Sequence, residues 1–162
     1  MKYILIIFLS LFLVGCSRTI DTPHNLGERT QTIGCTFNNW PYPDYACSPG
    51  SIIPNATKEV ICVNGYTQTV RNVPEVEKEQ VYAEYGIINH PAYSYEVDHI
   101  ISLELGGDNS IANLWPEKYD DTYGARIKDK AENNLHAKVC SGQMTLVEAQ
   151  YQIAHNWTAW IK

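Results

Sequence analysis

The chain has 162 residues, 44% of them hydrophobic and 19% charged, and a net charge of −6 at pH 7. That length suits one domain with one core, and there is no internal repeat or long charge block. The acidic balance argues against tight, sequence-independent binding of a polyanion, which normally needs a basic patch, though not against chemistry at a few local Lys and Arg.

The first residues are not expected to join the fold. Lys2 gives a positive start, Ile4 to Val14 is almost wholly apolar, and Leu13-Val14-Gly15-Cys16 closes the run. The apolar stretch is too short to span a membrane and has the form of a secretory leader, residues 1–15. Leu-Val-Gly-Cys resembles a bacterial lipobox, which implies that Cys16 is lipidated and becomes the new N-terminus. Ser17 after it resembles an outer-membrane sorting signal of a Gram-negative host. The resemblance implies an exported protein held in the cell envelope by lipid alone, with no transmembrane helix in the mature chain. Residues 16–34 are the lipidated Cys and a flexible tether, polar with Pro, Gly, Thr and Asn. The folded domain is placed at residues 35–162.

With Cys16 assigned to lipid, Cys35, Cys47, Cys62 and Cys140 remain, an even number in an exported chain, which implies two disulfides. None of the spacings is Cys-x-x-Cys, so a zinc site is disfavoured. Three pairings exist, and sequence alone does not choose among them. The pairing adopted is Cys35–Cys47, stapling a Pro-rich entry loop, with Cys62–Cys140 tying the N-terminal elements to a late helix.

Residues 35–57, with Trp40-Pro41-Tyr42-Pro43 and Cys47-Ser48-Pro49-Gly50, are dense in turn formers and predict an irregular segment. Val60-Ile61-Cys62-Val63 and Tyr66-Thr67-Gln68-Thr69-Val70 flank Asn64-Gly65, a strong hairpin signal. Residues 75–85 place Val81, Tyr82 and Tyr85 at helical spacing, with Gly86 as the stop. Tyr95 to Ile101 is strand-like and contains Asp98-His99; Gly106-Gly107 turns the chain, and Asn113-Leu114-Trp115-Pro116-Glu117 follows. Ala131, Leu135 and Val139 stripe a helix from about Ala125 to Val139. Thr145-Leu146-Val147-Glu148 reads as a capping box. Leu146, Ala149, Ile153, Trp157 and Trp160 make the apolar face of a last helix, its Trp residues serving as core anchors. The plan is α+β.

Asp98 and His99 are the chemistry-bearing pair. A neutral imidazole suits a general base near neutral pH, and a carboxylate suits a hard cation. Neighbours in a strand point to opposite faces, so both reach one site only where the strand ends or bulges. On its own, His99 reads as a buried, hydrogen-bonded strand histidine.

The order Asp98-His99, Gly106-Gly107, Asn113 resembles the ββα-metal (HNH, His-Me finger) nuclease core. The resemblance extends to exported bacterial HNH-like proteins of this size through Cys47-Ser48-Pro49-Gly50, Ile61-Cys62, Val70-Arg71, Tyr95-Glu96-x-Asp98-His99, Asn113-Leu114-Trp115-Pro116-Glu117, Lys128-Asp129-x-x-Glu132-x-x-Leu135 and Val139-Cys140-x-Gly142, over about residues 47–157. It implies a hairpin-helix core, with an extra N-terminal β-hairpin and a C-terminal helix in this chain. It also implies a metal-dependent endonuclease acting on nucleic acid, DNA in preference to RNA, outside the cytoplasm. By that resemblance His99 is the base, Asp98 a ligand of one divalent ion (Mg²⁺ or Mn²⁺), and Asn113 the residue that holds the hairpin loop and orients the imidazole through a backbone carbonyl.

The last ligand departs from the family pattern. The usual position, nine residues after the Asn, is Thr122, and Lys118 to Gly124 has the form of an insertion. Glu132 takes the ligand role, with Asp129, Asn133 and His136 as alternatives, and Lys128 is the phosphate contact. The plain reading of Lys128 and Glu132 is a surface i,i+4 pair worth a few tenths of a kcal/mol. Glu104 and Glu117 flank the hairpin as solvated or salt-bridged carboxylates. The rival to an enzyme is a lipoprotein that keeps the fold and loses the reaction, serving as a binding module.

Overall fold

The computed structural model describes residues 26–119 and 121–162, so the leader, Cys16 and His24 lie outside the described residues. The chain runs through helices Lys58–Ile61 (α1), Tyr66–Val70 (α2) and Glu75–Glu84 (α3). It then enters a two-stranded antiparallel sheet, Tyr95–His99 (β1) with Leu114–Lys118 (β2), and ends in helices Ala125–Cys140 (α4) and Leu146–His155 (α5). This is a small α+β domain. The sheet register pairs Asp98 with Trp115 and His99 with Leu114. No helix among the described residues is long and apolar enough to cross a membrane.

The helices follow the sequence where apolar spacing is long enough to decide. In α4 the buried positions are Ala125, Lys128, Ala131, Leu135 and Val139, one stripe at helical spacing. Ile61, Ile101, Leu105, Trp115, Ile153 and Trp157 complete a single core around it. Each large aliphatic buried there contributes about 1.5–3 kcal/mol. Helix α3 stops at Tyr85, and Gly86 follows with φ +70°. The Thr145 hydroxyl accepts from the Glu148 N–H at 3.1 Å, the capping bond the sequence predicts at the head of α5.

The extra N-terminal hairpin is not formed. Its two runs are the short helices α1 and α2, with Gly65 in a left-handed turn (φ +84°) between them. Among the described residues the sheet contains only β1 and β2, so these runs have no strand to pair with. A helical turn buries Ile61 while Val60 and Val63 stay exposed, and it brings Cys62 to the end of α4. Context therefore overrides the β-branched composition.

The last helix is also shorter than its apolar pattern. It breaks at Asn156 (φ −151°, ψ 29°), and Trp157–Trp160 forms a separate 3-10 turn. Trp157 is still a core anchor, its indole N–H donating to the Pro41 carbonyl at 3.1 Å. Both disulfides, Cys35–Cys47 and Cys62–Cys140, are formed. Residues 26–34 extend the domain into the stretch assigned to the tether. Leu26 packs on the core, Gly27 N–H bonds Gly50 O at 2.7 Å, and Arg29 pairs with the buried Glu84.

Candidate functional site

Strand β1 ends at His99 because Ile100 and Ile101 turn into the core. The chain returns to β2 through two 3-10 turns, Leu103–Leu105 and Ile111–Asn113. Two residues lock this loop. A Cβ on Gly107 would lie 1.7 Å from the Ile101 carbonyl oxygen, so only glycine lets the two segments approach. The fully buried Asn113 uses its whole amide. Its Oδ1 accepts from Ile101 N–H (2.9 Å) and Ser51 N–H (3.2 Å), and its Nδ2 donates to the carbonyls of Ile101 (3.0 Å) and Asp108 (2.8 Å). Asn113 therefore holds the loop. Its backbone carbonyl accepts from Ile100 N–H at 2.8 Å, one residue past the histidine.

The His99 ring is held instead by Asn109, whose Oδ1 lies 3.2 Å from Nε2. The orientation of that amide is set independently. Asn109 Nδ2 donates to the Val70 carbonyl at 2.8 Å, and Oδ1 accepts from the Asn72 N–H at 3.1 Å. An oxygen facing Nε2 requires Nε2 to carry the proton, which leaves the lone pair on Nδ1. Burial, opposed by the Asp98 charge and the Asn109 bond, lowers the His99 pKa below its usual 6.5. The ring is therefore neutral at pH 7 and able to accept a proton.

Beneath it lies a cluster of charges around a lysine that is closed to solvent. Lys128 is 2% exposed. Its ammonium donates to Asp98 Oδ2 at 2.6 Å, to the His99 carbonyl at 2.7 Å and to Glu132 Oε1. Glu117 Oε2 is 3.9 Å away. The i,i+4 pair of Lys128 and Glu132 thus exists, but inside the protein and not on its surface. Lys128, expected to meet phosphate, faces inward.

The protonation states follow from burial and neighbours. Burial works to raise the Asp98 carboxyl, but the Lys128 ammonium together with Glu117 and His99 outweighs it and holds Asp98 below the usual carboxylate range. Burial works to lower Lys128, and the charges of Asp98, Glu132 and Glu117 overcome this and raise it well above 10.5. Glu117 is fully buried and neither carboxyl oxygen has a hydrogen-bond partner. Burial, reinforced by Asp98 and Glu132 and opposed by Lys128, pushes it well above 4.5, which favours its neutral form. Glu132 is pushed up to about 7, chiefly by burial.

Asp98 and His99 share a cleft of about 170 Å³ with Thr67, Arg71, Glu104, Asp129 and Glu132. The strand end thus brings both onto one site, as the sequence requires. Glu104 has one buried oxygen without a partner and the other 3.9 Å from His136 Nδ1. Asn133 also lines the cleft, while its amide donates to the Asp129 carbonyl on its own helix at 2.7 Å. Sequence reasoning missed Arg71 and Asn109. Arg71 stands just past α2, and its field reaches His99, Glu96 and Asp129. The Val70-Arg71 motif was the available signal for Arg71, whereas nothing local marks Asn109.

The divalent ion expected between Asp98 and Glu132 does not fit at their meeting point while Lys128 is there. Mg²⁺ needs near-octahedral oxygen ligands at about 2.0–2.1 Å, and the point where Asp98, Glu132 and the His99 carbonyl converge is filled by the ammonium. Elsewhere, ligand atoms of Cys62, His136 and Cys140 lie within 4.8 Å of one another and could hold a metal ion, but the two sulfurs are joined in a disulfide. Comparison with family models, curated proteins and solved structures found no match to this chain.

Proposed function

We propose that the protein is a phosphodiester hydrolase of the ββα nuclease type, acting on nucleic acid, with DNA the preferred substrate. One observation carries the reading. His99 sits where β1 ends and lines a cleft that also carries Arg71, and its Nε2 proton is tied to Asn109. In the proposed step His99 takes a proton from the attacking water, whose oxygen bonds to phosphorus as the ester oxygen leaves. Arg71, in place of the inward-facing Lys128, grips the phosphate through its guanidinium. Asn113 and Gly107 keep the loop from shifting the imidazole. The order β1, tight loop, β2, α4 supports the family reading, and the disulfides suit an oxidising compartment. Export on a lipid at Cys16 belongs to the same proposal.

The test is nicking of supercoiled plasmid by the purified protein. Wild type should relax the plasmid, and His99→Ala should not, while its melting temperature stays close to wild type. Cleavage that survives in His99→Ala removes the proposed base. A second reading, a binding module without turnover, is favoured by the crowding of Asp98, Glu104, Asp129 and Glu132 around the cleft, which repels a polyanion. A folded wild-type protein that never nicks plasmid would leave that reading standing.

A further inference from the structure

We infer that Lys128 is the resident cation of the hairpin-helix junction: its ammonium takes the position the resemblance gives to a divalent ion, and the junction is complete without a metal. The argument begins with valence. An ammonium has three N–H donors, and here three acceptors meet them, one from each of Asp98, the His99 backbone and Glu132. No donor is left over. The neighbours come from every element around the junction: β1 gives Asp98 and His99, β2 gives Glu117, and α4 gives Lys128 and Glu132.

Entry of a divalent ion at this point would require the ammonium to leave. Lys128 cannot withdraw easily, because its stem lies in the buried stripe of α4 between Ala125 and Ala131 and the residue is 2% exposed. Withdrawal would also leave an ammonium without partners inside the protein, which is costly. The charge requirement is met as well. The one ammonium lies against both Asp98 and Glu132. The ammonium also fixes the backbone of the base through the His99 carbonyl. Lys128 is thus a positioning residue. A further consequence, which rests on the hydrolase reading above, is that turnover needs no added metal and survives chelation.

Two measurements separate the inference from the reading it extends. The first is titration of the full protein with Mn²⁺ at pH 7.5, followed by electron paramagnetic resonance. Wild type should show no stoichiometric site tighter than about 1 mM. Lys128→Met, checked for folding by circular dichroism, should open an oxygen cage and gain one Mn²⁺ site, which Asp98→Asn in the same background removes. One Mn²⁺ bound per wild-type chain, and lost in Asp98→Asn, overturns the inference whether or not Lys128→Met folds. The second is plasmid nicking with and without EDTA. A rate unchanged within about twofold, and absent in His99→Ala, supports it. A rate abolished by EDTA and restored by Mn²⁺ overturns it. Absence of nicking under any ion sinks the hydrolase reading alone, and the Mn²⁺ titration then decides.

Discussion

Glu117→Gln should stabilise the protein, and more strongly as pH rises. Glu117 is fully buried between β2 and α4, 3.9 Å from the Lys128 ammonium, with no hydrogen bond to either carboxyl oxygen. Burial raises its pKa well above 4.5, with Asp98 and Glu132 adding to the shift. The sign follows directly. A carboxyl whose folded pKa lies above its unfolded value contributes stability that is fully present below 4.5 and is lost as pH rises toward the folded value. Above 4.5 the unfolded chain has released this proton and the folded chain has kept it. Each pH unit in that window therefore costs wild type about 1.4 kcal/mol. Glutamine copies the neutral acid in shape but does not titrate. Between pH 5 and pH 7.5 the advantage of Glu117→Gln over wild type should grow, by about 1.4 kcal/mol for each pH unit that lies below the folded value. Near 3 °C per kcal/mol for a domain of this size, each such unit is about 4 °C in Tm. Urea unfolding of both proteins at the two pH values measures it. A difference that does not change with pH, or one that favours wild type more at 7.5 than at 5, refutes the neutral Glu117.

The remaining predictions concern the ammonium, the loop and the base. Lys128→Met strands Asp98 and Glu132 without their cation and should cost about 3–5 kcal/mol at pH 7. The loss should shrink toward pH 4 as the mutant's carboxylates protonate, and a loss below about 1 kcal/mol by chemical denaturation would show that the ammonium is dispensable. Gly107→Ala places a methyl 1.7 Å from the Ile101 carbonyl and should expel the loop, destabilising by more than about 3 kcal/mol, whereas Gly86→Ala, with nothing within 4 Å of the new Cβ, should cost only its left-handed strain. Because burial keeps His99 below 6.5, kcat/KM for plasmid nicking should rise with pH through a midpoint below 6.5; a midpoint above 6.5 would argue against this imidazole as the base.

Legibility in the sequence tracked how far each feature depends on distant partners. Helices α3 and α4, the Thr145 cap and the strand carrying Asp98-His99 are written in local spacing, and they form where the spacing puts them. The stretch 60–70 was illegible because its β-branched residues specify a strand only if another strand is near. Among the described residues none is, and Ile61 finds the core from a helical turn instead. Lys128 was half legible. It stands three residues before Ala131 and seven before Leu135, squarely in the buried stripe, but a lysine in a stripe reads as a snorkelling surface residue. Only the meeting of β1, β2 and α4 turns it into a buried ion. Asn109 carried no signal at all, since its value lies in holding Val70, Asn72 and His99 together across 39 residues of chain. Arg71 stood in a recognised motif whose charge had no assigned use.

The charge pattern of the cleft explains how an acidic protein could still handle a polyanion. Counting residues, Asp98, Glu104, Asp129 and Glu132 make a repulsive wall facing a single Arg71. Counting charge, the wall is weaker. Asp98 is balanced at 2.6 Å by Lys128, and Glu132 is pushed up to about 7 by burial. Glu96, on the neighbouring face of β1, is likewise pushed up to about 7, by burial and then by Asp98 and Asp129. Burial followed by the Asp98 charge raises Asp129 as well. Near neutral pH part of the wall is therefore protonated, and each proton it holds reduces the repulsion felt by an incoming phosphate. The same crowding that raises these carboxyls makes Lys128 hard to remove, because every acid that loses its proton tightens the hold on the one ammonium. His99 needs the opposite condition, a pH high enough to leave its ring neutral, and burial meets that need by lowering its pKa. The two demands overlap between the lowered pKa of His99 and about 7, where the base is free and the wall is only partly charged. On the proposed reading a phosphate in this cleft meets Arg71 as the one Lys or Arg among the described residues that line it, so its affinity should be modest and its salt dependence shallow, as one neutralised phosphate gives.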